Sequence, residues 1–334
     1  MGWGKHEAIT QLRPKHEVTR HVPHLWGVRY NRWYFWDGRA DSLWSQALIP
    51  IEDVAEMASS RVQIAQLVIK DKSLRKAYQD LFGPIPKALL QITLPNRGRP
   101  VADTESQPDN QSWDSLTKTS KEAINHLFAN IGKSIASFEE TIVSLHSPFD
   151  QFTDQLLNDK PPKRYVISAS ARQGLKLFIG KAACISCHFG PNFSDGEFHH
   201  PFLSELSLKG DLGRYEGITK VLQNPFNANS QFHDADKEKS RNKLDYVYKN
   251  IEFRAQFKTP SLRNVATTYP YMHTGEFQTL EEVLDYYNTI SERMDPNNHQ
   301  EVLLKSLDLT TSEQNNLIEF LKTLTDESAT AEIL

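Results

Sequence analysis

Two cysteines occur in this chain of 334 residues, spaced three apart with a histidine directly after the second: Cys184-Ile185-Ser186-Cys187-His188. C-x-x-C-H is the attachment spacing of c-type haem. Two thiols so placed add to the vinyl groups of the macrocycle as thioethers, and the adjacent histidine reaches the iron. The spacing is short because all three groups must meet one edge and one face of a flat ring. Zinc is a rival: it would take Cys184 and Cys187 as thiolates with two imidazoles from His188, His199 and His200. A thioredoxin-like redox pair would need a βαβ setting, which the flanks do not offer. The residues ahead of the motif favour haem. Ser168 to Phe178 begins with serines suited to N-capping and sets Leu175 and Phe178 three apart, so a helix runs into the motif.

A chain of this length can bury two cores. Its formal charge of −4 and lack of a basic run argue against nucleic-acid binding. No apolar run is long enough to span a bilayer. The opening residues Met1 to Glu7 have no apolar segment of the secretory kind. Bacterial c-type haem is attached outside the cytoplasm, so the expectation is a periplasmic protein with its export signal upstream of Met1. With both cysteines in the motif, none remains for structural disulfides.

The elements that must position the motif read as mainly helical. Residues 1–22 are polar and irregular, and an aromatic-rich stretch from Pro23 to Leu48 ends in a helix-like segment. Residues 60–82, with Val62, Ile64, Leu67, Val68 and Leu74, read as one amphipathic helix stopped by Gly83-Pro84. Thr104 to Ser112 reads as an exposed loop. Ile124, Leu127, Phe128, Ile131, Ile135, Phe138, Ile142 and Leu145 predict a long helix over 119–145, ended by Ser147 to Asp150. Lys160 to Lys163 marks the expected boundary between domains 1–160 and 161–334. Beyond the motif, Gly190 to Gly196 is turn chemistry and residues 227–245 read as a surface insertion. Helices are expected near Leu280–Asn288 and Thr311–Leu324, the latter with Thr310 and Glu313 at capping-box spacing. Its Leu317, Phe320, Leu321 and Leu324 would pack across the motif-bearing helix. The fold class is therefore mainly α, the second half fitting a cytochrome c-like domain and the resemblance given below implying a second such domain before it.

The chain also repeats itself. At a constant offset, 260 − 23 = 237, Pro23, Leu25, Val28, Tyr34, Gly38 and Leu43 fall on Pro260, Leu262, Val265, Tyr271, Gly275 and Leu280. Six identities in an ungapped window indicate two related halves. The same offset puts the first half's counterpart of Cys184 at 184 − 237 = −53, ahead of Met1. The first domain is thus expected to be truncated at its N-terminus, or to have lost one of two ancestral haems.

These stretches resemble the bacterial di-haem cytochrome c peroxidases and their MauG-like branch. The likeness is carried by Phe35-Trp36-Asp37-Gly38-Arg39-Ala40-Asp41 through Ala47 with Glu56-Met57, by Ala129 to Glu139, and by Cys184 to Gly196. Asp211 to Gly217 and Lys258 to Val265 through Tyr287 continue it. The resemblance implies two haem c groups, with electrons entering at the C-terminal one from a small cytochrome c or cupredoxin and hydrogen peroxide met at the N-terminal one. It further implies a homodimer. Trp36 matches a tryptophan between the haems, and Gln46 and Glu56 match the peroxide-pocket pair. A carboxylate can move the proton that O–O cleavage requires, which suits Glu56. The distal haem ligand falls on Tyr287 by resemblance. Met272 is the alternative from thioether chemistry and His273 a third candidate. Thr268 and Pro270 match calcium positions, with His21 where the family has asparagine; imidazole suits calcium poorly. This chain departs from the family in lacking the first haem motif. Three other functions stay open: mono-haem electron transfer without peroxide chemistry, MauG-like oxidation of protein side chains, and a zinc scaffold.

Overall fold

The computed structural model describes residues 20–101, 107–158, 164–203, 210–234, 243–293 and 304–327. The expected boundary at Lys160 to Lys163 lies outside the described residues, as does nearly all of the irregular N-terminal stretch. Helices dominate, in the order α1 (Leu43–Glu52), α2 (Arg61–Lys70), α3 (Lys72–Phe82), α4 (Lys87–Leu90), α5 (Gln107–Asp114) and α6 (Lys118–Glu139) in the first half. The second half holds α7 (Pro148–Leu157), α8 (Ala169–Ile179), α9 (Arg214–Gln223), α10 (Leu280–Asn288) and α11 (Thr311–Lys322). β1 (Phe198–His199) pairs antiparallel with β2 (Phe257–Lys258). No helix among the described residues is long and apolar enough to cross a membrane.

Capping explains where the chain departs from its apolar periodicity. The expected helix over 60–82 is two helices, because Asp71 is extended and its carboxylate accepts from Ser73 and Leu74 N–H, starting α3 afresh. Leu67 and Leu74, expected on the buried face, are exposed. The stretch expected as a loop over 104–112 contributes Gln107 to Ser112 to α5, seated by buried Trp113. α6 stops at Glu139 rather than 145. There the N–H groups of Leu145 and His146 donate to the Asp326 carboxylate, and the Ile142 carbonyl accepts from Gly27. Ser147 to Asp150 does not merely end a helix. Ser147 and Asp150 form a capping box with Pro148 at the first position, and so begin α7. The expected surface insertion over 227–245 is partly core, since Phe232 and Leu244 are buried and Phe232 packs into the first half's cluster.

The repeat is real in the backbone. Tyr34 bridges Ala40 and Tyr271 bridges Phe277, both pairs 237 apart. A 3-10 turn at Val28–Tyr30 recurs at Val265–Thr267, each entered through a left-handed residue, Gly27 or Asn264. α1 and α10 start at the matching residues Leu43 and Leu280.

Each half closes on a helix pair. In the second, α8 and α11 cross so tightly at Gly174 that any Cβ there would overlap the Asn316 carbonyl oxygen. Phe178, Leu317, Phe320, Leu321 and Leu324 fill the cluster around that crossing, as expected for the final helix. In the first, α1 lies on α6, where a Cβ on Gly132 would stand 2.6 Å from the Trp44 carbonyl oxygen. Arg20 ties the halves together, pairing with Asp37 and Asp211 at 2.6 Å each. Arg214 Nη1 donates to the Gly38 carbonyl at 2.9 Å.

Candidate functional site

Cys184 to Ser186 form a 3-10 turn directly after α8, entered through left-handed Ala183. The turn brings the His188 N–H to the Cys184 carbonyl at 2.9 Å. His188 Nδ1 lies 2.9 Å from the Phe193 carbonyl. A carbonyl can only accept, so Nδ1 carries the proton and Nε2 keeps its lone pair. That is how proteins orient a metal-ligating histidine. Burial pushes the His188 pKa below its ordinary value, favouring the neutral, ligating form.

A single cavity of about 520 Å³ opens from this motif and runs between the halves. Its size and mostly apolar lining suit an organic cofactor. Phe178, Leu284, Leu317 and Leu321 wall the end beside Cys184 and Cys187. Four buried polar atoms on its wall have no hydrogen-bond partner: His24 Nδ1, Trp26 Nε1, Gln46 Oε1 and Glu139 Oε2. Buried polar groups are normally satisfied, so an apolar chamber edged by orphaned ones fits a large ligand with polar substituents. The residues present fit haem c.

The rival uses of the cysteines fit less well. Burial pushes the Cys184 thiol up to about 12, the reverse of what a redox pair or a zinc ligand needs. Among the described residues, Cys187, Asp195 and His199 come together, but Cys184 is packed in the apolar cluster instead. His199 Nε2 is already held by Asp195 at 2.8 Å.

Tyr287 reaches the same end of the cavity from α10, half-buried and close enough to both cysteines for their charges to act on it. Burial raises its phenol pKa. Met272 also lines the cavity but has a left-handed backbone and packs against the cluster of Phe202, Leu203, Tyr286 and Ile290. His273 is buried, stacked on Phe257 with centroids 3.5 Å apart, and its carbonyl accepts from His21 N–H. Thr268, Pro270 and His21 line the cavity as well. An imidazole in that set is a poor match to calcium, which takes six to eight oxygens, and no step is derived through that ion.

The first half supplies the other end. Gln46 and Pro50 reach it from α1 and Glu56 from the turn that follows. Burial and nearby Asp53 raise the Glu56 pKa, with Arg39 opposing. By the repeat, 287 − 237 = 50, so Pro50 stands where the second half has Tyr287 and offers no ligand atom. Likewise 283 − 237 = 46 sets Gln46 opposite Val283. Trp36 lies at the joint, its Nε1 donating to the His21 carbonyl at 2.7 Å and its carbonyl accepting from Lys258 N–H at 2.8 Å. The structure thus brings Trp36, Gln46, Glu56, Cys184, Cys187, His188 and Tyr287 to one chamber.

Sequence reasoning missed three wall residues: His24, Glu139 and Lys258. Glu139 sat in plain view at the end of the Ala129 to Glu139 motif, as the one charged residue on an apolar helix face. Nothing partners its carboxyl, and burial pushes it up to about 7.

Comparison with known proteins bears on the identity of this arrangement. The family model for di-haem cytochrome c peroxidases matches residues 1–157. The methylamine utilization protein MauG of Methylorubrum extorquens is 27% identical over 314 residues, covering 93% of this chain and 66% of that protein. The cytochrome-c peroxidase IdrP1 of Denitromonas iodatirespirans is 29% identical over 336 residues, covering 97% of this chain and 73% of that protein. The chain therefore spans roughly two thirds to three quarters of the length of these relatives. The diheme peroxidase BthA of Burkholderia thailandensis shares the fold, with a TM-score of 0.63 at 19% identity over 94% of this chain and 74% of that one. A fold of two related helical halves, a C-x-x-C-H turn at one end of a shared cavity and these likenesses lead to one conclusion: along nearly its whole length the chain is similar to the di-haem cytochrome c peroxidases and MauG.

Proposed function

We propose that the protein reduces hydrogen peroxide, with electrons entering through a haem held by Cys184, Cys187 and His188. The observation that carries this reading is the single chamber running from His188 past Trp36 to Gln46 and Glu56. Haem iron held by Cys184, Cys187 and His188 would supply one-electron redox chemistry to this chamber. Glu56, its pKa raised by burial, is suited to carry a proton at its carboxyl and pass it to a leaving oxygen. Gln46 Oε1, unpartnered, accepts a hydrogen bond from peroxide or water beside it. Pro50, at the position that Tyr287 takes in the other half, would offer no ligand atom to a group bound beside Gln46 and Glu56. Trp36 is held between the two ends by its bonds to His21 and Lys258. A small cytochrome c or cupredoxin as donor and a periplasmic location go with this reading.

The test is steady-state oxidation of a reduced small cytochrome c by peroxide, using the haem-loaded protein. Turnover that falls about 10²-fold or more in Glu56→Gln supports the assignment. Turnover equal in the two proteins removes Glu56 from the mechanism, and none in either leaves an electron-transfer protein. Tyr287 favours a second reading, MauG-like oxidation of protein side chains. It is a half-buried phenol at the end of the chamber beside Cys184 and Cys187, where a phenolate can ligate iron.

A further inference from the structure

One cation on the chamber wall is unused by the account above. Lys258 is buried on β2, and its ammonium has neither a carboxylate within ion-pair distance nor a hydrogen-bond partner among the described residues. Its backbone is pinned on two sides, by the N–H bond to the Trp36 carbonyl and by pairing with Phe198 in β1. The side chain is thereby set beside the chamber, near enough to Asp195 and His24 for its charge to be felt by both.

Most other basic groups on the wall are accounted for. Lys305 is exposed at the rim. His24, His188 and His273 are kept neutral by burial, and His199 is paired with Asp195. The carboxyl groups lining the chamber, Glu56 and Glu139, belong to the first half. An isolated ammonium in an apolar wall is costly unless something anionic meets it. His24 Nδ1, buried and unpartnered, is a second polar atom on the same wall and lacks a hydrogen-bond partner.

We infer that Lys258 is the counter-charge for a carboxylate of the prosthetic group, a haem propionate, with His24 Nδ1 as an adjoining polar contact. This rests on the haem reading of Cys184, Cys187 and His188 and deepens it. A fixed positive charge favours the reduced haem, which carries one negative charge more than the oxidised one. Lys258 therefore raises the reduction potential of the haem through which electrons enter. It acts as a positioning and tuning residue.

The experiment is a redox titration of the haem-loaded protein, compared with Lys258→Met and Lys258→Arg. Haem content is checked in each by acid–acetone extraction and haemochrome absorbance. The expected result is a lower midpoint potential in the Met variant and one close to wild type in the Arg variant, at equal haem content. Methionine keeps the apolar stem, so a lysine that only packs would leave the potential unmoved. Equal potentials in all three proteins overturn the proposal, as does an equal fall in both variants. If the Met variant yields no folded protein, Lys258→Gln is read in its place by the same criteria. A wild-type chain without covalent haem overturns the haem reading itself, and this inference with it.

Discussion

The buried carboxyl of Glu139 offers a test of the chamber that needs no catalysis. The side chain is 7% exposed, closes the C-terminal end of α6 and has an Oε2 atom without a partner. Burial pushes its pKa from an ordinary 4.5 to about 7. A carboxyl raised in the folded state costs nothing below the unfolded value, where both states are protonated. Between about 4.5 and about 7 the unfolded chain ionises and the folded one does not, so stability falls as pH rises. Above about 7 both are ionised and the loss is complete. A shift of about 2.5 pH units corresponds to about 3 kcal/mol. Glu139→Gln keeps the shape and removes the titration. Urea unfolding of both proteins, followed by far-UV circular dichroism at pH about 4 and about 8, measures the difference. Relative to wild type, the variant should gain about 3 kcal/mol between the two pH values. Glu56 is raised in the same direction but is present in both proteins and cancels. A gap between the two proteins that does not change with pH would refute a buried, unpartnered carboxyl.

Other perturbations probe the frame and the motif. Gly174→Ala forces α8 and α11 apart at the Asn316 carbonyl and should cost roughly 1–3 kcal/mol, read as a lower unfolding midpoint. Replacing Cys184 and Cys187 together by alanine should leave a chain from which acid–acetone removes all haem, while wild type retains it. Tyr287→Phe should change the ferric haem absorption spectrum; an unchanged spectrum would move the distal position to Met272.

How much of this was legible in the sequence follows from what each signal depends on. Short-range signals read well. Thr310 with Glu313 begins α11, Ser168 begins α8, and α10 runs over the expected residues. The offset of 237 forecast backbone bridges that recur at matching positions. Helix ends set by distant groups were illegible. The stretch after α6, expected as helix to 145, is held by Asp326, far along the chain, which accepts from Leu145 and His146 N–H. Phe232 looked like surface because its neighbours are polar, yet it completes a core built from the other half. The site divided in the same way. C-x-x-C-H is a local constellation and could be read at once. Lys258 and Glu139 matter only because folding buries them facing one chamber, and no local pattern records that.

The central claim is that the haem on Cys184, Cys187 and His188 delivers electrons to peroxide in the chamber with Glu56. Single-turnover stopped-flow tests it most directly: the haem-loaded protein is reduced, mixed with hydrogen peroxide and followed at the Soret band. The account predicts re-oxidation with a rate proportional to peroxide, slowed about 10²-fold or more in Glu56→Gln. A haem that stays reduced, or is re-oxidised equally fast in the variant, would contradict it.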